Sequence, residues 1–229
     1  MDRKALAQRI DHTILSAEAA PEQVDRLVAE AREHGFAAVC VNPVYVRKVK
    51  AALEGTNVKT AAVVGFPLGA NTPAIKAVEA AAVADDGAEE IDFVAHLPTL
   101  IAGDVRGATL EFNEIVKAAK AANPHVEVKV ILETAALMAD VPAEEGERRV
   151  KAGCEAAREA GCDFVKTSTG FHKAGGASID AVRLLKQHGA PLKVKAAGGI
   201  RTRTDALAML EAGADRLGCS ASVTILSES

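Results

Sequence analysis

One pattern occurs four times in this chain, as EHGFAAVCV at 33–41, DDGAEEIDFV at 85–94, EAGCDFVKTS at 159–168 and EAGADRLGCS at 211–220. In each copy a helix-forming stretch meets a glycine, and a short apolar run follows the glycine. A glycine in this position readily takes the left-handed conformation that ends a helix. The four segments therefore predict four places where a helix ends and a β-strand begins.

Further apolar runs lie between these glycines, at 58–66, 126–134 and 191–199, and the stretch 10–13 supplies one more near the start. Helical stretches separate the runs, at 21–34, 43–54, 73–86, 105–122, 142–160, 178–188 and 203–212. Eight alternating β/α units require parallel strands, and 229 residues suit a compact barrel. The pattern predicts an α/β fold, a single-domain (β/α)8 TIM barrel over 1–229. An open doubly wound sheet is the alternative, but no GxGxxG motif follows the first strand.

Composition excludes several classes of protein. Hydrophobic residues make up 49% and charged residues 25%, as in a folded domain and unlike a disordered chain. Aromatic residues make up only 3% and the net charge is −4, which argues against nucleic-acid partners. No apolar stretch is long enough to span a membrane, and the N-terminus lacks a signal sequence. The four cysteines have neither CxxC nor zinc-ligand spacing, which indicates free thiols, no metal site and a cytoplasmic location.

Two lysines lie near the predicted ends of neighbouring strands, Lys166 in CDFVKTSTG and Lys195 in LKVKAAGG. Strand alternation points Lys166 into the barrel if Val165 packs on the helices. Two adjacent ammonium groups repel, so the pKa of at least one should fall. A neutral amine can then attack a carbonyl group and form a Schiff base. The alternative is structural: carboxylates neutralise both lysines, or Lys166 extends to the barrel rim.

Several carboxylates share the inward direction of these lysines. Asp92 in EEIDFV could transfer protons during carbonyl addition, or form a plain salt bridge. Asp11 in IDHT and Glu133 in KVILET are further inward candidates, and either could merely neutralise lysine charge. Lys129 has the same strand parity as Glu133, which predicts that these two side chains pair.

Glycine-containing loops follow three consecutive predicted strands, as TGFHKAGGAS at 169–178, AAGGIRT at 196–202 and LGCSAS at 217–222. Glycine lets the backbone approach a ligand closely, and N–H groups at a helix start attract phosphate. TIM barrels commonly bind phosphate after their last two strands. These loops, with Gly170 and the basic Lys173, therefore predict a phosphate site beside the two lysines.

Seven motifs run in order through essentially the whole chain: IDHT at 10–13, AAVCVNP at 37–43, VVGFPLGANT at 63–72, EID at 90–92, KVILET at 129–134, FVKTSTGF at 164–171 and KAAGGIRT at 195–202. On these motifs the chain resembles the deoxyribose-phosphate aldolase family of class I aldolases. The resemblance implies reversible cleavage of 2-deoxy-D-ribose 5-phosphate to D-glyceraldehyde 3-phosphate and acetaldehyde, without a metal or organic cofactor. It also implies a role in deoxyribonucleotide catabolism.

The same resemblance implies roles for individual residues. Lys166 matches the Schiff-base lysine, and Lys195 matches a second lysine that lowers the pKa of the first and helps to move protons. Asp92 matches the acid–base aspartate, Asp11 an aspartate that contacts the second lysine, and Cys40 a cysteine near the substrate. The residues that match the phosphate pocket are Gly170, Gly198, Gly199, Arg201, Gly218 and Ser220.

The resemblance implies a small phosphorylated sugar as ligand, no nucleic-acid or membrane partner, and a homodimer or homotetramer. The chain departs from the family pattern at Ser16, where many members carry lysine. Two alternative functions remain. One is another Schiff-base sugar-phosphate aldolase, and the other is a catalytically silent barrel that binds sugar phosphates.

Overall fold

The protein forms a closed barrel of eight strands. A computed structural model describes residues 1–228, so Ser229, the last residue of the predicted domain, lies outside the described part. The strands are β1 Ile10–Thr13, β2 Ala38–Val41, β3 Lys59–Val64, β4 Glu90–Val94, β5 Glu127–Ile131, β6 Phe164–Lys166, β7 Lys193–Ala197 and β8 Arg216–Cys219. Each pairs in parallel with the next, and β8 pairs with β1. The predicted TIM barrel is confirmed, and the open-sheet alternative is wrong.

Helices connect the strands and surround the barrel. They are α1 Arg3–Ala7, α2 Pro21–His34, α3 Val46–Ala52, α4 Pro73–Asp85, α5 Leu97–Ile101, α6 Val105–Ala122, α7 Thr134–Met138, α8 Ala143–Glu159, α9 Ile179–Gly189, α10 Arg203–Glu211 and α11 Ser222–Ser227. A 3₁₀ turn, Pro43–Tyr45, precedes α3. Within residues 1–228, every helix is too short or too polar to cross a membrane.

Local sequence explains most of the element boundaries. Gly35 ends α2 in the left-handed conformation, with φ 66°, as the repeated pattern predicted. The strand predicted at 10–13 and the helices predicted at 21–34 and 105–122 have the observed bounds. The helices α1, α5 and α7 were not predicted, because five residues are too few to show a helical hydrophobic period.

The two faces of the barrel strands carry different chemistry. Outward residues such as Ile91, Val165 and Leu217 are buried against the helices in one large apolar core. Inward residues of β2 and β3 form a small apolar cluster inside the barrel: Ala38, Cys40, Ala61 and Val63. The remaining interior is largely charged, although TIM barrels normally fill it with branched apolar side chains. Burying charge there is costly unless each group is paired, which makes the interior the first place to look for a site.

Candidate active site

Asp92 stands at the centre of the charged interior. Its strand, β4, turns it inward, and it is fully buried. One carboxylate oxygen, Oδ2, accepts hydrogen bonds from Nζ of Lys166 and from Nζ of Lys195, each at 2.7 Å. The other oxygen, Oδ1, accepts from Lys129 at 2.8 Å. These three lysines keep the pKa of Asp92 well below its usual value although burial acts in the opposite direction.

Lys166 is the last residue of β6, and its side chain reaches from Asp92 to a solvent-connected cavity above the strands. Only 3% of the residue is exposed. Burial lowers the pKa of Lys166, and Lys195 lowers it further, while Asp92 acts in the opposite direction. The predicted fall in a lysine pKa therefore occurs, but burial contributes more to it than repulsion between the lysines.

Lys195 lies opposite Lys166 in the register of β7 and β6, yet its pKa moves the other way. Nζ of Lys195 lies 2.5 Å from Oδ2 of Asp11 and 2.7 Å from Oδ2 of Asp92. Burial disfavours the cation, but these two carboxylates outweigh that effect and raise the pKa of Lys195 well above its usual value. The pair thus consists of a fixed cation and an amine that loses its proton more readily.

Asp11 anchors the second lysine. Burial would raise the pKa of Asp11, but Lys195 and Arg216 outweigh it and lower the pKa to about 2. Arg216, on β8, donates to Oδ1 of Asp11 at 2.6 Å and also contacts Glu90. Sequence reasoning missed Arg216, although its spacing of two from Gly218 places both on the inward face of the strand.

The predicted pair between Lys129 and Glu133 is not formed. Lys129 instead contacts Glu90 at 2.7 Å and Asp92 at 2.8 Å. Glu133 follows β5 with a left-handed backbone, φ 55°, which breaks the alternation on which the prediction relied. Its carboxylate accepts hydrogen bonds from the N–H and the hydroxyl of Thr169, and burial raises the pKa of Glu133. Glu133 therefore holds the loop after Lys166 and does not neutralise a lysine.

A cavity of about 350 Å³ opens above Lys166 at the carboxyl ends of the strands. The predicted residues that line it are Lys166, Gly170, Gly198, Gly199, Arg201, Gly218 and Ser220. Sequence reasoning missed other lining residues, among them Thr13, Leu15, Thr169 and Phe171. The sequence gives no signal for these residues because they come together only when separate loops pack. Phe171, for example, packs against Phe66 of a distant loop, with ring centroids 5.2 Å apart.

Three loops meet closely in the glycine-rich part of this cavity. The backbone at Gly198 has φ 90°, and a Cβ atom there would lie only 3.0 Å from the Cα atoms of Gly170 and Gly176. Throughout residues 1–228, the N–H groups of Gly170, Gly199 and Ser220 donate to no protein acceptor. Unpaired N–H groups on adjacent loops suit an anion with several oxygen atoms. The three loops form a cradle above Lys166 that suits an anion of the size of phosphate.

Cys40 and Lys173, which the sequence predicted to lie beside the substrate and its phosphate, are outside the cavity lining. Cys40 is buried beneath it in the apolar cluster of β2 and β3, and burial raises the pKa of its thiol to about 11. Lys173 borders a separate depression together with His172 and Arg149, so it does not belong to this cradle. In the described part of the chain, no three His, Cys, Asp or Glu side chains converge on a common point as a metal site requires.

A TIM barrel with an amine beside a carboxylate, under a phosphate-sized cradle, has the parts that carbonyl chemistry on a phosphorylated substrate requires. Known proteins that are similar to this chain are enzymes of this class. Residues 5–222 match the family described as DeoC/LacD family aldolase. Deoxyribose-phosphate aldolase of Carboxydothermus hydrogenoformans is 46% identical over 222 residues, covering 96% of this chain and 93% of the relative. That of Streptococcus pneumoniae is 48% identical, covering 96% and 95%.

A solved structure that is similar to this chain also belongs to an aldolase. The tetrameric deoxyribose phosphate aldolase of Aeropyrum pernix superposes with a TM-score of 0.86 at 38% identity, over 98% of this chain and 91% of that one. The chain therefore belongs to the DeoC/LacD family of aldolases, and it is an enzyme of the class I aldolase type.

Proposed function

We propose that this enzyme cleaves 2-deoxy-D-ribose 5-phosphate to D-glyceraldehyde 3-phosphate and acetaldehyde, reversibly, through a Schiff base on Lys166. One observation carries the proposal: the buried amine whose pKa is lowered is also the one that reaches the cavity. The names of the relatives support the substrate. The reaction belongs to the breakdown of deoxyribonucleotide sugars.

The reaction proceeds through an iminium ion on Lys166. The neutral amine of Lys166 adds to C1 of the open-chain sugar, and the resulting carbinolamine loses water. The positive iminium nitrogen then accepts the electron pair of the C2–C3 bond as the C3 hydroxyl gives up its proton. D-Glyceraldehyde 3-phosphate leaves, and the two carbons of acetaldehyde remain on Lys166 as an enamine. Protonation at C2 and hydrolysis by water release acetaldehyde and restore the amine.

Asp92 and Lys195 support the proton transfers. Asp92 accepts hydrogen bonds from both lysines on one oxygen, so it can relay the proton that Lys166 loses on becoming nucleophilic to a water molecule while itself staying ionised at rest. Lys195 keeps its charge because Asp11 and Asp92 both contact it, and that charge opposes protonation of Lys166. The roles proposed for Asp92, Lys195 and Asp11 rest on this arrangement.

Phosphate binding orients the substrate. The unpaired N–H groups of Gly170, Gly199 and Ser220, with Arg201 at the rim, support a phosphate at the far side of the cavity from Lys166. Anchoring C5 there presents C1 to the amine, which converts binding energy into orientation.

We also propose a homodimer or homotetramer in the cytoplasm. Exposed apolar side chains on α4 and α6, including Val78 at 68% and Leu110 at 64%, support self-association. The four cysteines are buried free thiols, which fits a reducing compartment.

Trapping with borohydride tests the reaction. The protein is incubated with acetaldehyde, reduced, digested and mapped by mass spectrometry, and an ethyl group on Lys166 is expected. Lys166→Arg is the control, because a guanidinium cannot add to a carbonyl group. Absence of the adduct from the unchanged protein would favour the silent sugar-phosphate-binding barrel. An adduct without cleavage of deoxyribose 5-phosphate would indicate another Schiff-base aldolase.

A further inference from the structure

A continuous set of ion pairs runs through the barrel interior below the site. Asp92 contacts Lys129 at 2.8 Å, and Lys129 contacts Glu90 at 2.7 Å. Glu90 contacts Arg216 at 3.2 Å, and Arg216 also contacts Asp11 at 2.6 Å. Asp11 in turn contacts Lys195, which completes a ring with Asp92. Each of these side chains except Arg216, which is 13% exposed, is fully buried.

The charges of this interior set do not balance when every group is ionised. It contains three carboxylates, on Asp11, Glu90 and Asp92, and four basic groups, on Lys129, Lys166, Lys195 and Arg216. With all seven ionised, one positive charge is in excess, and uncompensated charge is costly in a buried interior. The charges balance when one lysine is neutral.

The number of carboxylates that each lysine contacts indicates which lysine is neutral. Lys195 and Lys129 each touch two carboxylates, whereas Lys166 touches Asp92 only and is next to the cavity. We propose that Glu90 and Lys129 are positioning residues that hold Lys166 in its neutral, nucleophilic state through the charge balance of the barrel interior. The inference rests on the proposed Schiff-base function.

The other titratable groups around Lys166 do not change this balance. The thiol of Cys40, on β2, stays neutral because burial raises its pKa to about 11. The carboxyl group of Glu133, after β5, binds Thr169 and touches no lysine within the described residues. Three groups at the amino-terminal mouth of the barrel, Lys59, Glu127 and Lys193, are 40%, 22% and 55% exposed, so water screens them more strongly. Lys59 also lies 3.4 Å from Glu90, but it pairs more closely with Glu127, at 2.6 Å. His172 lies in the neighbouring loop, and all six of these residues are unchanged in the variants below.

The charge count predicts opposite effects for two substitutions. Lys129→Met removes a cation, so the interior balances with Lys166 protonated, and its amine should lose the proton only at higher pH. Glu90→Gln removes an anion, so a cation at Lys166 is opposed more strongly, and its amine should lose the proton at lower pH. The double variant removes one charge of each sign and should restore the original behaviour.

The experiment measures the initial rate of adduct formation on Lys166 with acetaldehyde and cyanoborohydride as a function of pH. Each variant is compared with the unchanged protein at every pH, which cancels the pH dependence of the reductant. The midpoint is expected to move up by about one unit in Lys129→Met and down by about one unit in Glu90→Gln. The double variant should lie near the original midpoint. Glu89→Gln is the control, because the side chain of Glu89 is half-exposed and lies at the outward position next to Glu90. This variant should leave the midpoint in place.

The outcomes separate this inference from the function beneath it. No adduct on Lys166 in the unchanged protein at any pH would overturn the proposed function. An adduct with one common midpoint in all variants, or with shifts in the same direction, would overturn the inference alone. Circular dichroism checks that each variant folds. Where Lys129→Met fails to fold, Glu90→Gln and the double variant still differ in their expected midpoints, and equal midpoints in those two would refute the inference.

Discussion

Lys166 and Lys195 face each other in the register of β6 and β7 and donate to the same carboxylate oxygen, yet only Lys195 has a second carboxylate. One anionic oxygen cannot offset two buried ammonium groups, so the two amines differ in how readily they lose a proton. The asymmetry comes from Asp11, which contacts Lys195. The second carboxylate beside Lys195 thus leaves Lys166 as the amine that loses its proton more readily.

Replacing Lys195 by methionine should reduce kcat/KM at neutral pH by about 10²-fold or more and move the pH profile to higher pH. Without the neighbouring cation, Asp92 holds a proton on Lys166 more firmly. Steady-state kinetics across pH provide the measurement. Lys193→Met is the matched control, because Lys193 lies two residues earlier on β7, is 55% exposed and pairs with Glu127 at the opposite mouth. An unshifted pH profile in Lys195→Met would contradict the role assigned to this cation.

Asp11 should contribute to stability against acid. Its pKa is lowered to about 2 in the folded protein, so its contribution is complete above the unfolded value near 4 and is lost as the pH falls toward 2. We expect the unchanged protein to lose about 2 kcal/mol more than Asp11→Asn over this interval. Urea unfolding at a series of pH values measures the difference. Asp180→Asn, at a side chain 81% exposed, should follow the unchanged protein throughout, and a parallel curve for Asp11→Asn would disprove the assignment.

Substituting Gly198 by alanine should weaken phosphate binding without affecting the amine. The added Cβ would approach Gly170 and Gly176 at 3.0 Å and would force the three loops of the cradle apart. We expect the KM for deoxyribose 5-phosphate to rise about tenfold or more, while trapping of acetaldehyde on Lys166 stays near normal, since loss of phosphate orientation acts on the anchored substrate only.

Gly161→Ala is the control for Gly198→Ala. Gly161 also has a positive φ, 77°, but a Cβ there has nothing within 4 Å, and the residue is far from the cavity. It should cost about 1 kcal/mol of stability and leave KM unchanged. Equal KM values for the two alanine variants would show that the effect is backbone strain and not the cradle.

A second buried ion pair, outside the site, should be important for stability. Lys76 on α4 and Glu111 on α6 are 2.6 Å apart and nearly inaccessible, and Lys76 also donates to the carbonyl of Val94 at the end of β4. Glu111→Gln leaves the ammonium group without its counter-ion, so we expect a loss of about 3 kcal/mol or more in the free energy of unfolding. Glu114→Gln, exposed on the same helix, should change it by less than about 0.5 kcal/mol. Chemical denaturation compares the two.

Strand alternation was sufficient to predict the inward direction of Asp92, Lys166 and Lys195, because each lies within a regular strand. It failed at Glu133, because one residue with a left-handed backbone interrupts the alternation and redirects the side chain to Thr169. The short helices were missed for a similar reason: a single turn is stabilised by its surroundings and leaves no periodic signal.

The amino-acid sequence by itself determined the order of the β/α units, the parallel barrel and the placement of two lysines at neighbouring strand ends, since these depend on local periodicity and on glycines that end helices. Only the tertiary structure decided which carboxylate each lysine contacts, that Arg216 and Glu90 complete the interior ion pairs, and that Cys40 and Lys173 stand apart from the cavity. The reason is physical: a pKa depends on burial and on charges brought together by barrel closure, across up to 205 residues of chain between Asp11 and Arg216.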